Sequence, residues 1–599
     1  MSSTESGSFS SKRSTAWVVL AIAIGLVVIG GIIAQIAQTA GGTVSVRQVK
    51  LSGSNGVMIY GLLYKPVAAT AKSPAPGVVA IHGYINSHDT MDGFAIELAR
   101  RGCVVLAIDQ TGHGFSDPPA FANGYGGPDA LAYLHSLDFV KGDDIGLVGH
   151  SMGGWASVVA AAAHPDFYRS MVLVSSSTST PPYEPIPGTP TFPKDVMVLE
   201  ARFSEFSQLM WSVPKGSEFP TSARLQQLFG AGGPIVPGKV YGSIPDGTAR
   251  LFESVPTTHP FLTLDEKAIG LAVDWMQQTL PGVAPLPSSS QIWPWDEVGT
   301  LIALIGVILL LFPVGTLFLR TPFFADLAQP VLDARPVQGA GLWIGSVILV
   351  AVGVLTFFKF QTVANALLPA SALFAQSITT GIMGWAVGGG IIGLILFLLW
   401  HFLINRRAGG SFTAYGLTGA DGRLEWARIG KSVLFAAAVL VAPYLALWFL
   451  QWAFATDARF WVFNAKIVTP VHLRIWLPYV IPFLFYFIVL GLVLHGELRS
   501  IRLSPGTEIV RSMVMLAGGF VLLILAEYIP LFAGGTLLTA NQPLLAIVAY
   551  QFVPMYIIIT SISTFFFYKT GRVIPGALIN AFFITMLIVT STATQFPLR

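Results

Sequence analysis

The sequence predicts two architectures in one chain: a mostly parallel, doubly wound α/β sheet over residues 44–285 and an all-α, polytopic membrane domain over residues 297–599. Three observations predict it. Between residues 77 and 163, short apolar strand-like runs alternate with helical stretches across short connections, a pattern that requires parallel strands and right-handed crossovers. One of those runs ends in Gly149-His150-Ser151-Met152-Gly153, a sharp serine turn with glycines on both sides, and feeds an Ala-rich helix. Of 599 residues, 53% are hydrophobic and 11% charged, with the apolar excess concentrated after residue 297, a composition foreign to a soluble chain of this length.

In chain order, residues 1–15 are a polar, Ser-rich tail with Lys12 and Arg13 near its end. Residues 16–40 then hold an uncharged run long enough to cross a bilayer. A cleaved signal would have a shorter apolar core and a clean small-x-small site, so the run is expected to be an uncleaved anchor. With Lys12 and Arg13 held inside, the N-terminus is cytoplasmic and the following domain extracytoplasmic.

Val44–Lys50 and Val57–Tyr64 are strands joined by a Gly53-Ser54-Asn55-Gly56 turn. Gly77–Ile81 is a buried strand ending in His82-Gly83-Tyr84, followed by a helix over Met91–Arg100. Cys103–Ile108 is the next strand, ending in Asp109-Gln110-Thr111-Gly112-His113-Gly114-Phe115-Ser116. A helical stretch over Gly127–Val140 leads to the serine turn, and the helix after that turn directs its amide end toward Ser151, favouring developing negative charge there. Between Met171–Val174 and Val196–Leu199 the chain is too Pro-rich for a helical lid, so any roof over the site must come from elsewhere, such as the membrane domain. Arg250–Val255 is a strand and Leu264–Thr279 a helix with Thr263 as its cap. Residues 286–296 are a short Pro/Ser/Trp linker in which Trp293 and Trp295 mark a headgroup layer.

With His82-Gly83-Tyr84, Asp109-x-x-Gly112-His113-Gly114-x-Ser116 and the serine turn in order at successive strand ends, residues 44–285 resemble an α/β-hydrolase of the esterase and dienelactone-hydrolase-like kind. The resemblance implies a catalytic nucleophile at Ser151 and an oxyanion hole from the backbone amides of Tyr84 and Met152. In such enzymes the base comes last in chain order, which selects His259 on the loop between the final strand and final helix. His82, His113 and His150 are read as turn-packing residues. The family's acid is expected near Ser204, where this chain departs from the pattern. Glu205 is adjacent and can serve as third member; Glu200, Asp195 or no acid at all are the alternatives.

Eight further apolar runs, 297–319, 341–363, 379–404, 432–455, 475–496, 512–534, 544–568 and 575–594, give nine spans in all. Alternating them from an inside N-terminus puts Arg320, Arg335, Arg406, Arg407, Arg423, Arg428, Lys431, Arg499, Arg502, Arg511, Lys569 and Arg572 inside. Only Lys359, Arg459, Lys466, Arg474 and Arg599 fall outside, a strong positive-inside bias. Glu527, a carboxylate inside an apolar run, is a candidate membrane-domain site or a satisfied boundary carboxyl.

Composition excludes other classes. The net charge of +3 gives no nucleic-acid signal, and the single Cys103 excludes an intrachain disulfide. There is no metal-spaced His pair and no phosphate loop, so no metal or other cofactor is expected. The function expected is acyl hydrolysis by a Ser-His-acid triad, with the bilayer and a small-molecule or lipid-derived acyl substrate as partners. A transporter or receptor carrying a hydrolase-like domain, and a degenerate hydrolase that only binds, are the alternatives.

Overall fold

The computed structural model describes residues 5–179, 181–500 and 502–598, with side chains from residue 15 onward. Of the polar tail, residues 1–4 lie outside the described residues; from residue 5 the chain is already helical, as the start of α1 (Glu5–Gln38).

Nine strands form one sheet: β1 (Val44–Ser52), β2 (Met58–Pro66), β3 (Ala75–Ile81), β4 (Val104–Ile108), β5 (Val140–His150), β6 (Ser170–Val174), β7 (Val196–Phe203), β8 (Val240–Tyr241) and β9 (Arg250–Thr258). Their order is β1-β2-β4-β3-β5-β6-β7-β9-β8. From β4 through β9 every pairing is parallel, while β1, β2 and β8 pair antiparallel at the two edges. Six helices serve this sheet: α2 (Asp92–Arg100), α3 (Gly127–His135), α4 (Met152–Ala163), α5 (Ser207–Trp211), α6 (Ala223–Phe229) and α7 (Glu266–Thr279). Residues alternate between the two sheet faces, so Val78 and Ala80 of β3 pack toward α2 and α7, whereas Val79 and Ile81 pack toward α3 and α4. The central strands are apolar on both faces for this reason.

Three local expectations change. The helix expected over 127–140 stops at His135, and β5 begins at Val140. The cap of α7 is Asp265, whose carboxylate accepts the Ala268 amide at 2.9 Å, because Thr263 belongs to a preceding 3₁₀ turn and donates to the Pro260 carbonyl. Residues 286–296 are not a free leash. Buried Arg101 donates to the carbonyls of Leu286, Pro287 and Ser290, and Glu97 accepts the amides of Ile292 and Trp293. Trp293 is buried in the sheet domain's core and Trp295 alone of the pair is exposed.

Beyond the linker follow α8 (Pro294–Phe318), α9 (Ala340–Leu367), α10 (Ser377–Trp400), α11 (Trp426–Phe454), α12 (Pro470–Leu492), α13 (Pro505–Phe532), α14 (Pro543–Thr570) and α15 (Val573–Thr590). Among the described residues, nine helices including α1 are long and apolar enough to cross a membrane, and every expected run falls on one of them. α1 packs closely against α8. A Cβ on Gly30 would lie 2.5 Å from the Ala303 amide, and one on Gly299 2.5 Å from the Ala34 amide, so α1 and α8 touch backbone to backbone. Gly384 and Gly388 of α10 instead leave room for the side chains of Ala364 and Phe360 of α9.

Between α11 and α12 a short hairpin, β10 (Ala458–Phe460) with β11 (Phe463–Ala465), rises against the sheet domain. Arg459 there bonds Asp92 and Asp296 at 2.7 Å each and also reaches Glu297, all buried. Lys466 bonds Asp89 at 2.7 Å and Asp457 at 3.2 Å, and Asp89 also contacts His88, which is held by Asp109 at 2.8 Å. The C-terminal segment adds a backbone clasp: Thr594 donates to the Gly112 carbonyl and accepts from the Ala120 amide, both at 2.7 Å. Two units that read as separate in sequence are thus joined through a buried ionic seam.

Candidate active site

Ser151 connects β5 to α4 with φ 53° and ψ −122°, a backbone state that an L-residue adopts only under constraint. The constraint is visible in its neighbours. A Cβ on Gly149 would lie 2.2 Å from the Gly153 carbonyl oxygen, and one on Gly153 would lie 2.0 Å from that of Ile81, so no larger residue fits either position. The Ser151 amide donates to Val174 at 2.9 Å, and its carbonyl accepts from Ser176 Oγ at 2.6 Å and the Gly154 amide at 2.9 Å. Both peptide groups of the turn are therefore anchored, leaving the side chain to face outward. Met152 opens α4, so its amide is among those without an intrahelical acceptor. Gly83 lets its loop approach: a Cβ there would meet the Ser151 Cβ at 3.1 Å, which seats the next residue, Tyr84, beside the serine.

Ser151, Met152, Tyr84 and His259 all line one cavity of about 430 Å³. His259 stands at the end of β9 and is buried. Its main chain is gripped at both peptide groups: the amide donates to Glu205 Oε2 at 2.9 Å, and the carbonyl accepts from His150 Nε2 at 3.0 Å. His150 thus ties the serine turn to the base loop. Its other ring nitrogen and the Nδ1 of His259 have no protein partner. Burial, then the neighbouring His150, hold His259 well below the usual imidazole range, so it rests neutral and able to accept a proton.

The expected contact between Glu205 and the ring of His259 is not formed; Glu205 reaches the main-chain amide instead. The physical reason lies in the bundle. Tyr528 of α13 donates to Glu205 Oε1 at 2.8 Å, and the two donors occupy both oxygens of the carboxylate. Burial pushes Glu205 up to about 7 against these donors. Glu200 is engaged elsewhere, accepting Trp211 Nε1 at 2.7 Å and Ser175 Oγ at 3.3 Å, and burial raises it to about 8. Asp195 accepts the Ala249 amide at 3.0 Å. Neither residue lines the cavity. Ser204, where an acid was expected, is buried and its Oγ accepts the Phe206 amide.

The remaining motif residues hold loops. Asp109 accepts the amides of His88 and Phe115 at 2.8 Å each; burial would raise it, but His88 and Lys466 bring it down to about 2. His82 accepts the Gln110 amide at 2.9 Å and His113 contacts the Thr111 carbonyl at 2.9 Å; burial lowers them to about 3 and about 4. Glu527 lies off the cavity, with its two oxygens accepting the amide and the hydroxyl of Thr539 at 2.9 Å each. The residue next to it, Tyr528, is the one that reaches the site, because one step along a helix turns the side chain by about 100°.

The sequence pointed to the membrane domain as a possible roof but not to the residues that form it. The segment 206–211 supplies Phe206, Leu209 and Met210, and the bundle supplies Val462, Leu544, Ile547 and Gln551. Gln595 of the C-terminal segment donates to the Tyr84 hydroxyl at 2.8 Å. Among the described residues no cluster of His, Cys, Asp and Glu is arranged to hold a metal ion.

Comparison with known proteins agrees with this geometry at the level of fold. Residues 76–206 match the family model described as the α/β hydrolase fold. The chain is similar to a 2-(acetamidomethylene)succinate hydrolase of Mesorhizobium japonicum, 37% identical over 106 residues, covering 17% of this chain and 36% of that protein. It is also similar to a proline iminopeptidase of Saccharolobus solfataricus, 34% identical over 131 residues, covering 21% of this chain and 40% of that protein. The chain therefore spans little more than a third of the length of these relatives. A solved dienelactone hydrolase from Anabaena variabilis aligns over 40% of this chain and 99% of its own at 18% identity, with a TM-score of 0.29. The sheet domain has the α/β hydrolase fold, and the hydrolase-named relatives support a hydrolase.

Proposed function

We propose that this chain is a membrane-embedded serine hydrolase that cleaves acyl esters on the extracytoplasmic face. One observation carries the reading: Ser151, held in a left-handed turn, shares an apolar-walled cavity with the buried imidazole of His259 and with Met152 and Tyr84. In the reaction, Ser151 Oγ attacks the ester carbonyl while His259 takes its proton. The amides of Met152 and Tyr84 receive the oxyanion, each worth about 3–4 kcal/mol in a dry site. The carbon–oxygen bond breaks, and the alcohol leaves with the proton from His259. Water, deprotonated by His259, then attacks the acyl-enzyme, and the carboxylic acid departs as Ser151 regains its proton.

Glu205 acts from the main-chain side. Its carboxylate fixes the peptide that carries the imidazole and supplies negative charge near the imidazolium as it forms; Tyr528 positions it. The membrane setting is supported by nine helices of spanning length. Its orientation is supported by Arg459 and Lys466, loop cations on the hydrolase side, being consumed in buried ion pairs. The opposite helix ends carry Arg406, Arg407 and Arg502 among their basic residues.

A fluorophosphonate probe and a nitrophenyl ester test the reading. Wild type labels at Ser151 and turns over the ester, and Ser151→Ala does neither; a folded wild type that is unlabelled and inactive refutes it. The unpartnered Nδ1 of His259 favours a second reading, a hydrolase-like domain that binds without turnover, and that same inactive result would select it.

A further inference from the structure

We propose that the helical bundle forms the acyl-chain subsite of the Ser151 cavity, so that the enzyme acts on esters carrying a long, uncharged, apolar acyl chain. This rests on the serine hydrolase reading and deepens it. The first support is chemical. Among the described residues no Asp, Glu, Lys or Arg lines the cavity, and its imidazoles belong to the serine turn and base loop. A carboxylate or ammonium on the acyl arm would lose its hydration there without a counter-ion, at a cost that excludes it.

The second support is geometric. Leu544, Ile547 and Gln551 fall at i, i+3 and i+7 of α14, so one stripe of that helix faces the cavity. Rising 1.5 Å per residue, the stripe descends about 10 Å from its first residue to its last. With Phe206, Leu209 and Met210 it lines the same slot-like cavity, which thus takes walls from both units. Leu209 is 47% exposed, an apolar side chain left at the rim of that slot. A smaller void of about 10 Å³, no larger than one water, shares Ile85 and Gln551 with the main cavity and is too small to take part of a chain. The α14 stripe gives the main cavity itself a lengthwise wall, which suits an extended acyl chain once its carbonyl is at the serine. A volume of about 430 Å³ lies within the ordinary range for a small-molecule site of about 300–1,000 Å³ and accommodates such a chain. The same chemistry describes an ester drawn from the outer leaflet and one dissolved in water.

The test uses the full chain in lipid nanodiscs and reads kcat/KM for nitrophenyl dodecanoate divided by that for nitrophenyl acetate, a ratio that a general loss of activity does not move. Wild type prefers the dodecanoate at least tenfold. Ile547→Trp fills the slot and lowers the ratio at least tenfold, and Ile547→Ala shifts the preferred chain to greater length. A ratio unchanged in both variants overturns the proposal. As an activity-independent arm, a dodecyl ether bearing a diazirine, with no carbonyl to attack, is photolysed on Ser151→Ala protein. Crosslinking to peptides 206–211 or 543–551 supports the subsite even if wild type proves catalytically inert, and crosslinking confined to other lipid-facing helices overturns it. Turnover that follows the ester's mole fraction in the bilayer assigns the leaflet as source; turnover that follows bulk concentration assigns the aqueous ester.

Discussion

Replacing Tyr528 with Phe removes one oxygen, 323 residues from the carboxylate it serves. The hydroxyl donates to Glu205 Oε1 at 2.8 Å, and a hydrogen bond to a charged acceptor contributes about 1.5–3 kcal/mol. With that donor present, burial holds Glu205 at about 7. At about 1.4 kcal/mol per pKa unit, loss of the donor raises Glu205 by about one to two units. At pH 7 its ionised fraction then falls from about half to below about one tenth. The groups facing Glu205 are its own amide, the amide of His259 and Tyr528, with Tyr550 packed against Tyr528, and none of them is a cation. The active form is the carboxylate, so a raised pKa moves the ascending limb of the pH–rate profile to higher pH. Tyr528→Phe should lower kcat for a nitrophenyl ester at pH 7 by about five- to fiftyfold, with KM nearly unchanged and activity recovering toward pH 9. A profile between pH 5.5 and 9.5 checks it. If the variant's limb superimposes on wild type, or the rate is equally low at every pH, the bundle is not tuning the site through Glu205. A double-mutant cycle with Glu205→Gln adds a second criterion, since the two losses should be far from additive.

Other outcomes follow from the same geometry. Arg459→Met leaves the carboxylates of Asp92, Asp296 and Glu297 buried without their cation, and should destabilise the chain by about 3–5 kcal/mol in thermal unfolding at pH 7. The defect should shrink at pH 5, where Asp92, raised to about 6 by burial, becomes protonated and the repulsion eases. Gly153→Ala pushes a Cβ within 2.0 Å of the Ile81 carbonyl oxygen and should cost about 1–3 kcal/mol or more, read as loss of folded protein and of fluorophosphonate labelling. Glu200, raised from 4.5 to about 8 by burial, contributes stability that is complete below about pH 4.5 and is lost as pH rises through about 8. Glu200→Gln should flatten that decline between about pH 4.5 and 8 in a melting-temperature profile, and an unchanged slope there would remove Glu200 as its source.

Much of the fold was legible because its signals are local. The β3–α2–β4 and β5–α4 units are contiguous, and periodicity together with glycine placement specifies them without reference to distant chain. The long apolar helices are equally local, since length and apolarity alone mark them. Boundaries failed where capping chemistry competed: Asp265 outranked Thr263 because its carboxylate reaches an orphan amide, while Thr263 serves Trp461 and the preceding turn. Trp293 was misplaced because Trp at the start of an apolar run has two environments available, and the grip of Glu97 on the adjacent amides decided for burial.

The sequence by itself determined that a serine would sit on a strained bend above a parallel sheet, that a histidine would close the last strand, and that nine apolar helices would accompany them. These depend on residues within a few positions of one another. Only the tertiary structure decided what Glu205 touches, which of Glu527 and Tyr528 turns toward the hydrolase domain, and that α14 walls the cavity. Those contacts join residues hundreds of positions apart. They are selected by complementarity between two surfaces, a buried carboxylate taking the donors that burial leaves within reach, and no window of sequence contains both sides of that match.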